Sequence, residues 1–207
     1  MRVPNSTHES RSWRIQEIAP DFTVEDVWAL PVHGRADEFQ SLLDVMGSLD
    51  PAHSGSFATR TLWRVRDCLG RAFGLGRIAA ANDPDGDHGD VELSIPGTTE
   101  TSLIARLPQD LRDTAPSDAG PVPFVPVYRT DDEYAAEISN RTVHAVMHLA
   151  WVGQDDGSYR GQMTVYVKPR GQLGKGYMAF IKPFRHWLVY PELMRLIERA
   201  WNARGVQ

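Results

Sequence analysis

Two histidines, His144 and His148, stand four residues apart in the segment HAVMH. On a helix this spacing brings two imidazoles side by side, where they can share one zinc ion. On a strand the same side chains lie about 13 Å apart, at about 3.3 Å per residue, which is too far for one metal. The surrounding residues favour a strand, and Ala145 stands where a helical zinc protease has its glutamate. No metal site is therefore predicted at this pair.

The two histidines share one face of the predicted strand, because successive side chains of a strand point to opposite faces. The other face carries Met147 and Trp151 and is the more apolar, so we expect it to meet a helix. Two placements of the histidines stay open. Either both lie on a half-solvated outer face, or a bulge turns one into a cavity, where an imidazole can donate hydrogen bonds or transfer protons near neutral pH.

Glu137 and Tyr177 are the other polar candidates. Glu137 lies on the preceding predicted strand, where an inward carboxylate beside a histidine would form an acid–base pair. The alternative is an exposed acid paired with Arg141 or Arg160. Tyr177 falls on the apolar stripe of the predicted C-terminal helix, so its ring should pack in the core while its hydroxyl reaches a cavity. No catalytic residue is identified.

The composition excludes several classes of protein. The chain has 207 residues, with 22 Lys and Arg against 27 Asp and Glu, a net charge of −5 that does not suit a nucleic-acid binder. Its apolar runs all fall short of the roughly 18 residues that a membrane span needs, so a soluble cytoplasmic protein is expected. Cys68 is the single cysteine, which excludes an internal disulfide.

The hydrophobic pattern predicts the elements that position these residues. Residues 1–11 are polar and are expected to be flexible, residues 12–207 form one domain, and residues 78–122 form a loop-rich insertion. Apolar periodicity predicts a first strand, two short helices, five further strands and a long C-terminal helix with bends at its two prolines. In chain order these elements are 22–31, 37–46, 59–74, 101–107, 124–128, 133–139, 142–152, 159–167 and 177–201.

Four of these strands follow one another without an intervening helix, which indicates an antiparallel meander. A curved antiparallel sheet can bury the apolar stripe of the long helix against one face. The expected fold is therefore α+β, with a sheet of about six or seven strands around the C-terminal helix. This arrangement is the helix-grip fold.

Two segments, EYAAEISNRTVHAVMHLAWV (133–152) and LGKGYMAFIKPFRHWLVYPELMRLIERAW (173–201), resemble a bacterial family of unknown function in the START-like (SRPBCC) superfamily. That superfamily also contains polyketide cyclases, relatives of the birch-pollen allergen and lipid-transfer domains. The resemblance covers roughly the last third of the chain and, loosely, the helix pair. It implies a cavity between the sheet and the long helix, and no particular reaction, because this superfamily contains binders, transporters and enzymes.

We therefore expect the protein to bind a small hydrophobic or amphipathic molecule in that cavity, with no cofactor. One alternative is an enzyme of the same fold, a cyclase, dehydratase or hydrolase, that uses His144 with Glu137 or Tyr177. Another is an interaction protein with a filled core that forms a homodimer. The predicted ligand-binding residues are His144, Glu137, Tyr177, Met147, Trp151 and Phe184.

Overall fold

The computed structural model describes residues 1–49, 102–114, 124–139 and 143–204. Within these ranges the chain is mixed α+β, and six strands form one curved antiparallel sheet. Their spatial order is β1-β2-β6-β5-β4-β3. The strands are β1 (Arg2–Val3), β2 (Thr23–Gly34), β3 (Val125–Arg129), β4 (Glu133–Ser139), β5 (Val143–Gly153) and β6 (Tyr159–Pro169).

The hairpin of β5 and β6 forms the centre of the sheet. The two strands pair continuously from Val143 opposite Pro169 to Gly153 opposite Tyr159. Their connection contains Gly157 with φ of 82°, a left-handed conformation that glycine adopts without steric cost. Both strands are rich in β-branched and aromatic residues, which pack well on a pleated surface.

Three helices pack on one side of the sheet, which we call the helix face. They are α3 (Phe39–Ser48), α4 (Gly171–Phe184) and α5 (Tyr190–Arg204), and a π-helical turn, Arg185–Val189, joins the last two. Their apolar side chains meet those of alternate residues on β2, β4, β5 and β6. Members of this core include Leu30, Leu42, Met147, Leu149, Trp151, Met163 and Ile197, and Met178 of α4 packs against Val143 and Val167.

The opposite side, which we call the histidine face, is covered by short elements. They are α1 (Asn5–Glu9), α2 (Arg14–Ile18) and two 3-10 turns, Leu103–Arg106 and Gln109–Leu111. Ile15, Ile18 and Leu103 from this cover pack against Tyr166 and other residues of the sheet. The sheet is therefore buried on both sides, which explains why its central strands are more apolar than a half-exposed sheet requires.

The N-terminal residues differ from the expectation that residues 1–11 are flexible. Arg2 pairs with Trp28 at the edge of the sheet, and α1 follows directly. His8 is completely buried on the histidine face, where it forms hydrogen bonds with three side chains of β6. Most of the other side chains of residues 1–11 are exposed, as their polar composition suggests, and His8 is the buried exception that polar partners hold inside the protein.

The strand predictions for residues 133–139, 142–152 and 159–167 are confirmed to within two residues at each end, and the strand predicted at 22–31 is longer, Thr23–Gly34. The strand predicted at 101–107 is wrong, because its described part forms the 3-10 turn Leu103–Arg106. Ser102 caps this turn by accepting a hydrogen bond from the Ile104 backbone N–H. The predicted helix at 59–74 lies outside the described residues.

The C-terminal helix is confirmed as a helical segment but is not continuous. It begins at Gly171, contains Pro183, and changes to π-helical geometry at Arg185. Pro183 has no backbone N–H and crowds the preceding turn, so a local change of helix geometry is expected beside it. None of the helices in the described ranges has the length and hydropathy needed to cross a bilayer.

Gly161 of β6 has no side chain, which allows Val32 of β2 and Leu42 of α3 to lie close to its backbone. Substitution of Gly161 therefore tests this packing. A Cβ atom at Gly161 would lie 2.6 Å from a methyl carbon of Val32 and 3.1 Å from one of Leu42. Gly161→Ala should therefore destabilise the protein by about 1–3 kcal/mol, as overpacking does in other cores. Urea unfolding followed by circular dichroism measures this change.

Gly47→Ala is the matched control, because Gly47 lies within α3 and a Cβ there would have no neighbour within 4 Å. Alanine favours a helix over glycine, so this variant should be stabilised by about 0.5–1 kcal/mol. Equal stabilities of the two variants would contradict the packing of α3 described above.

Candidate functional site

The predicted site residues divide between the two faces of the sheet. Met147 and Trp151 lie on the helix face, as their alternation predicted. His144 and Glu137 lie on the histidine face, where Glu137 pairs with His144 and Phe22 packs against the imidazole. Tyr177 and Phe184 belong to α4, on the helix-face side, and their side chains lie outside the described part of the chain. The sheet therefore separates His144 from the helix that carries Tyr177.

Each histidine of β5 is paired with a glutamate of β4. His144 Nε2 lies 2.7 Å from Glu137 Oε2, and His148 Nε2 lies 3.0 Å from Glu133 Oε2. Ser139 lies opposite His144 and Ala135 lies opposite His148, so each glutamate precedes the residue opposite its histidine by two positions. Such diagonal neighbours on an antiparallel pair are within reach of long side chains. The repeated spacing of four residues on both strands therefore produces two similar pairs.

The Glu137 carboxylate is fully engaged by protein donors. Besides His144, it accepts hydrogen bonds from the Leu103 backbone N–H at 3.0 Å and from the Ser102 hydroxyl. The side chains of His144 and Glu137 are only 2% and 1% exposed. This arrangement anchors the 3-10 turn to the sheet. Of the two placements left open for the histidines, the half-solvated outer face is wrong, and so is the alternative of an exposed Glu137, because this turn and α2 cover them.

Glu133 has a similar role for α2. Its carboxylate accepts hydrogen bonds from the Arg14 backbone N–H at 3.0–3.1 Å, from the Tyr128 hydroxyl at 2.9 Å and from His148. Burial would raise the pKa of Glu133, but His148, the Arg14 N–H and the Tyr128 hydroxyl outweigh it and hold the pKa below its ordinary value. Glu133 is therefore a charged anchor for the N-terminal segment.

A second polar cluster lies on the helix face, around Asp26. Asp26 is completely buried, and its carboxylate accepts hydrogen bonds from His186 at 2.6 Å, from Tyr190 at 3.2 Å and from Arg185. Glu25 adds a second carboxylate, 3.6 Å from the Arg185 guanidinium. The cluster ties β2 to the π-helical turn, and its carboxylate–imidazole pair is the kind of group that can move a proton.

Two irregularities of the backbone bring this cluster together. Val24 pairs with Tyr166 and Asp26 with Val165, so one extra residue, Glu25, is inserted into β2 as a bulge. The insertion turns Asp26 to the helix face, since regular alternation would place it on the same side as Val24. Arg185 and His186 lie in the π-helical turn, a geometry that is common at functional sites.

Asp26, Arg185 and His186 are not among the site residues that were predicted from the sequence. A usable signal is the pair Glu25-Asp26 within an otherwise apolar strand, since a buried carboxylate needs a cationic partner. The corresponding signal in the C-terminal helix is the pair Arg185-His186, two residues after Pro183 in an otherwise apolar pattern. Neither signal fixes which residues meet, because a bulge cannot be located from strand alternation.

A row of four side chains crosses the helix face near this cluster. Trp28 lies opposite Met163, Met163 opposite Leu149, and Leu149 opposite Tyr134. Three strand spacings of about 4.8 Å put the two ends of the row about 14 Å apart. The Trp28 Nε1–H, the Tyr134 hydroxyl and Arg185 Nε are buried and have no hydrogen-bond partner in the described part of the chain. The row is thus apolar in the middle and has an unpaired polar atom at each end.

Metal binding has no support in the part of the chain that the structure describes. In those ranges no three side chains of His, Cys, Asp and Glu are grouped so that they could hold an ion. The two β5 histidines each have their own glutamate partner instead.

A family model matches the chain. The family carries the description "Protein of unknown function (DUF2867)", and the match covers residues 18–192. No curated protein and no solved structure matches the chain. Both polar clusters lie largely within the matched residues, whereas His8 and Trp13 precede them.

His8 should make the stability of the protein depend on pH. Burial, reinforced by His148 and Arg11, lowers the pKa of His8 to about 3 from 6.5, although Glu133 opposes this. Below about pH 6.5 the unfolded chain takes up a proton at His8 that the folded chain does not, so the free energy of unfolding should fall as the pH drops. Above that pH this contribution is constant. Urea midpoints at pH 5 and pH 7.5 measure the difference.

The variant His8→Gln should reduce this pH dependence, and His33→Gln is the control because His33 is exposed. The lowered pKa of Glu133 acts only at still lower pH, so it does not enter the comparison. A wild-type midpoint that is the same at both pH values would show that His8 is not held neutral inside the protein.

Proposed function

The chain belongs to the DUF2867 family, and we propose that it binds a small amphipathic molecule on the helix face, between the sheet and the C-terminal helical segment. The observation that carries this proposal is a pair of polar groups at the two ends of an apolar row, Trp28 Nε1 and the Tyr134 hydroxyl, for which the described ranges supply no partner. A buried polar group without a partner costs about 1–3 kcal/mol, so a ligand atom that pairs with it gains that free energy.

The chemistry of the row defines the ligand. Trp28 Nε1 and Arg185 Nε can only donate, so the ligand should present an oxygen acceptor at this end. Met163 and Leu149 line the middle of the row, and Met147 lies on the same face, so the central part of the ligand should be apolar. The Tyr134 hydroxyl can pair with a second polar atom at the far end. An apolar molecule with an oxygen at each end, such as a hydroxylated fatty acid, meets these requirements.

We also infer that the architecture is a helix-grip fold of the START-like type. An antiparallel sheet with a C-terminal helical segment packed along one face supports this inference. In such a fold the ligand lies between the same two elements that carry Trp28, Tyr134 and Arg185. The expected contributions of Tyr177 and Phe184 belong to this proposal, because α4 forms part of the same side.

An enzymatic role for His144 with Glu137 is the second candidate, favoured by their 2.7 Å contact. Their burial and the engagement of Glu137 by Ser102 and Leu103 favour an anchoring role over chemistry at this pair. The Asp26–His186 pair is the better placed for acid–base work, since the His186 side chain is 16% exposed and lies beside the proposed ligand. The homodimer stays a prediction.

The two buried tyrosines on opposite faces provide a matched test of the ligand site. Tyr134→Phe removes a hydroxyl that has no partner among the described residues, so stability should be unchanged or raised while affinity for 10-hydroxydecanoate, which has an oxygen at each end, falls about 3- to 10-fold. Tyr128→Phe removes a hydroxyl that donates to Glu133 on the histidine face, so stability should fall and affinity for 10-hydroxydecanoate stay unchanged. Isothermal titration calorimetry and urea unfolding measure the two effects.

Native mass spectrometry of freshly purified protein is the accompanying measurement. A co-purifying molecule that dissociates more readily from Tyr134→Phe than from Tyr128→Phe would support the proposal. A wild-type protein that neither binds 10-hydroxydecanoate nor retains any molecule would overturn it, as would equal effects of the two substitutions on binding.

A further inference from the structure

His8 occupies a polar site on the histidine face. The side chains that form hydrogen bonds with its ring all belong to one strand, β6. Its Nε2 lies 2.6 Å from the Tyr166 hydroxyl, and its Nδ1 lies 2.7 Å from the Gln162 amide nitrogen and 3.2 Å from the Thr164 hydroxyl. These three partners alternate along β6 and therefore point to the same side. Both ring nitrogens of His8 are thus recognised by side chains on one rigid element.

Aromatic rings enclose the imidazole. Trp13 stacks on His8 with ring centroids 5.5 Å apart and an interplanar angle of 15°. His148 and Tyr166 present their rings edge to face, at 5.5 and 5.6 Å. His148 Nδ1 is buried here and has no hydrogen-bond partner in the part of the chain that the structure describes. The site therefore has one polar atom more than His8 satisfies.

The hydrogen bonds define the form of the ring. The Gln162 amide donates to Nδ1, so Nδ1 must be unprotonated and the ring proton lies on Nε2, which donates to Tyr166. The charged groups that face the ring are Glu133, bonded to His148, and Arg11. The lowered pKa of His8 agrees with a site that accepts only the neutral ring. The site thus selects a flat ring with one N–H and one ring-nitrogen acceptor.

His8 and the strand residues that bind its ring come from different parts of the chain. Gln162, Thr164, Tyr166 and His148 lie within the residues matched by the family model, whereas His8 and Trp13 precede residue 18. His8 belongs to α1, a helix of five residues. The polar groups that hold the ring are therefore a property of the sheet, and the ring is supplied by a short preceding segment.

We propose that β5 and β6 carry a binding site for a neutral, planar nitrogen heteroaromatic ring of the imidazole type, and that His8 fills this site in cis. The site is separate from the proposed ligand site on the helix face, so it stands whether or not that proposal holds. An external ring of the same chemistry binds when His8 vacates the site. His148 Nδ1 offers such a ligand one contact that His8 does not use.

Removal of the His8 ring tests this proposal with imidazole itself as the probe. In the full-length variant His8→Ala, imidazole at about pH 8, where it is neutral, should bind with one-to-one stoichiometry and raise the melting temperature. The matched control is His33→Ala, which removes an exposed imidazole and should show neither effect. Wild-type protein should bind imidazole at least tenfold more weakly than His8→Ala, because the tethered ring competes.

Pyrrole distinguishes recognition of the ring nitrogen from occupancy of the space left by the His8 ring. It has the size of imidazole and an N–H group, but it has no nitrogen that can accept a hydrogen bond. We expect pyrrole to bind His8→Ala about tenfold more weakly, as the loss of one buried hydrogen bond predicts. Equal binding of pyrrole and imidazole, or no binding of imidazole, overturns the proposal. If His8→Ala does not fold alone, folding induced by imidazole and not by pyrrole supports it, and failure of imidazole to induce folding overturns it.

Discussion

The antiparallel register between β4 and β5 places Glu133, Glu137, His144 and His148 on one buried face of the sheet, where each polar side chain must find a partner. Diagonal pairing satisfies the glutamates only in part, because a carboxylate can accept several hydrogen bonds. The remaining bonds come from the backbone N–H groups of Leu103 and Arg14 and from the hydroxyls of Ser102 and Tyr128. The elements that cover this face are therefore held by the carboxylates as well as by apolar packing.

On the helix face the completely buried carboxylate is that of Asp26. Asp26 reaches this face only because Glu25 is inserted into β2, and it then binds three side chains of the C-terminal helical segment. A buried charge of this kind strongly destabilises a protein when one partner is removed. The bulge and the π-helical turn thus depend on each other, since either backbone irregularity alone would leave Asp26 or Arg185 without its partner.

Strand alternation predicted much of the sheet and which side chains of β5 share a face. The side chains of a strand alternate between its two faces with a period of two, so this prediction does not require knowing the neighbouring strands. It placed Met147 and Trp151 correctly against the helices. It did not predict the burial of His144, because the cover comes from elements of three to five residues within 5–18 and 103–111, which are too short to show a hydrophobic period. It also missed Asp26, because a one-residue bulge reverses the alternation that the prediction relies on.

The two faces differ in how completely their buried polar groups are paired. On the histidine face the two glutamates and His8 have protein partners, whereas His148 Nδ1 has none among the described residues. On the helix face Trp28, Tyr134 and Arg185 each keep a buried atom that no described residue pairs with. Because an unpaired buried group is costly, an added molecule gains more on the helix face. A ligand on the histidine face must first displace His8, so it should bind more weakly there unless its contact with His148 compensates.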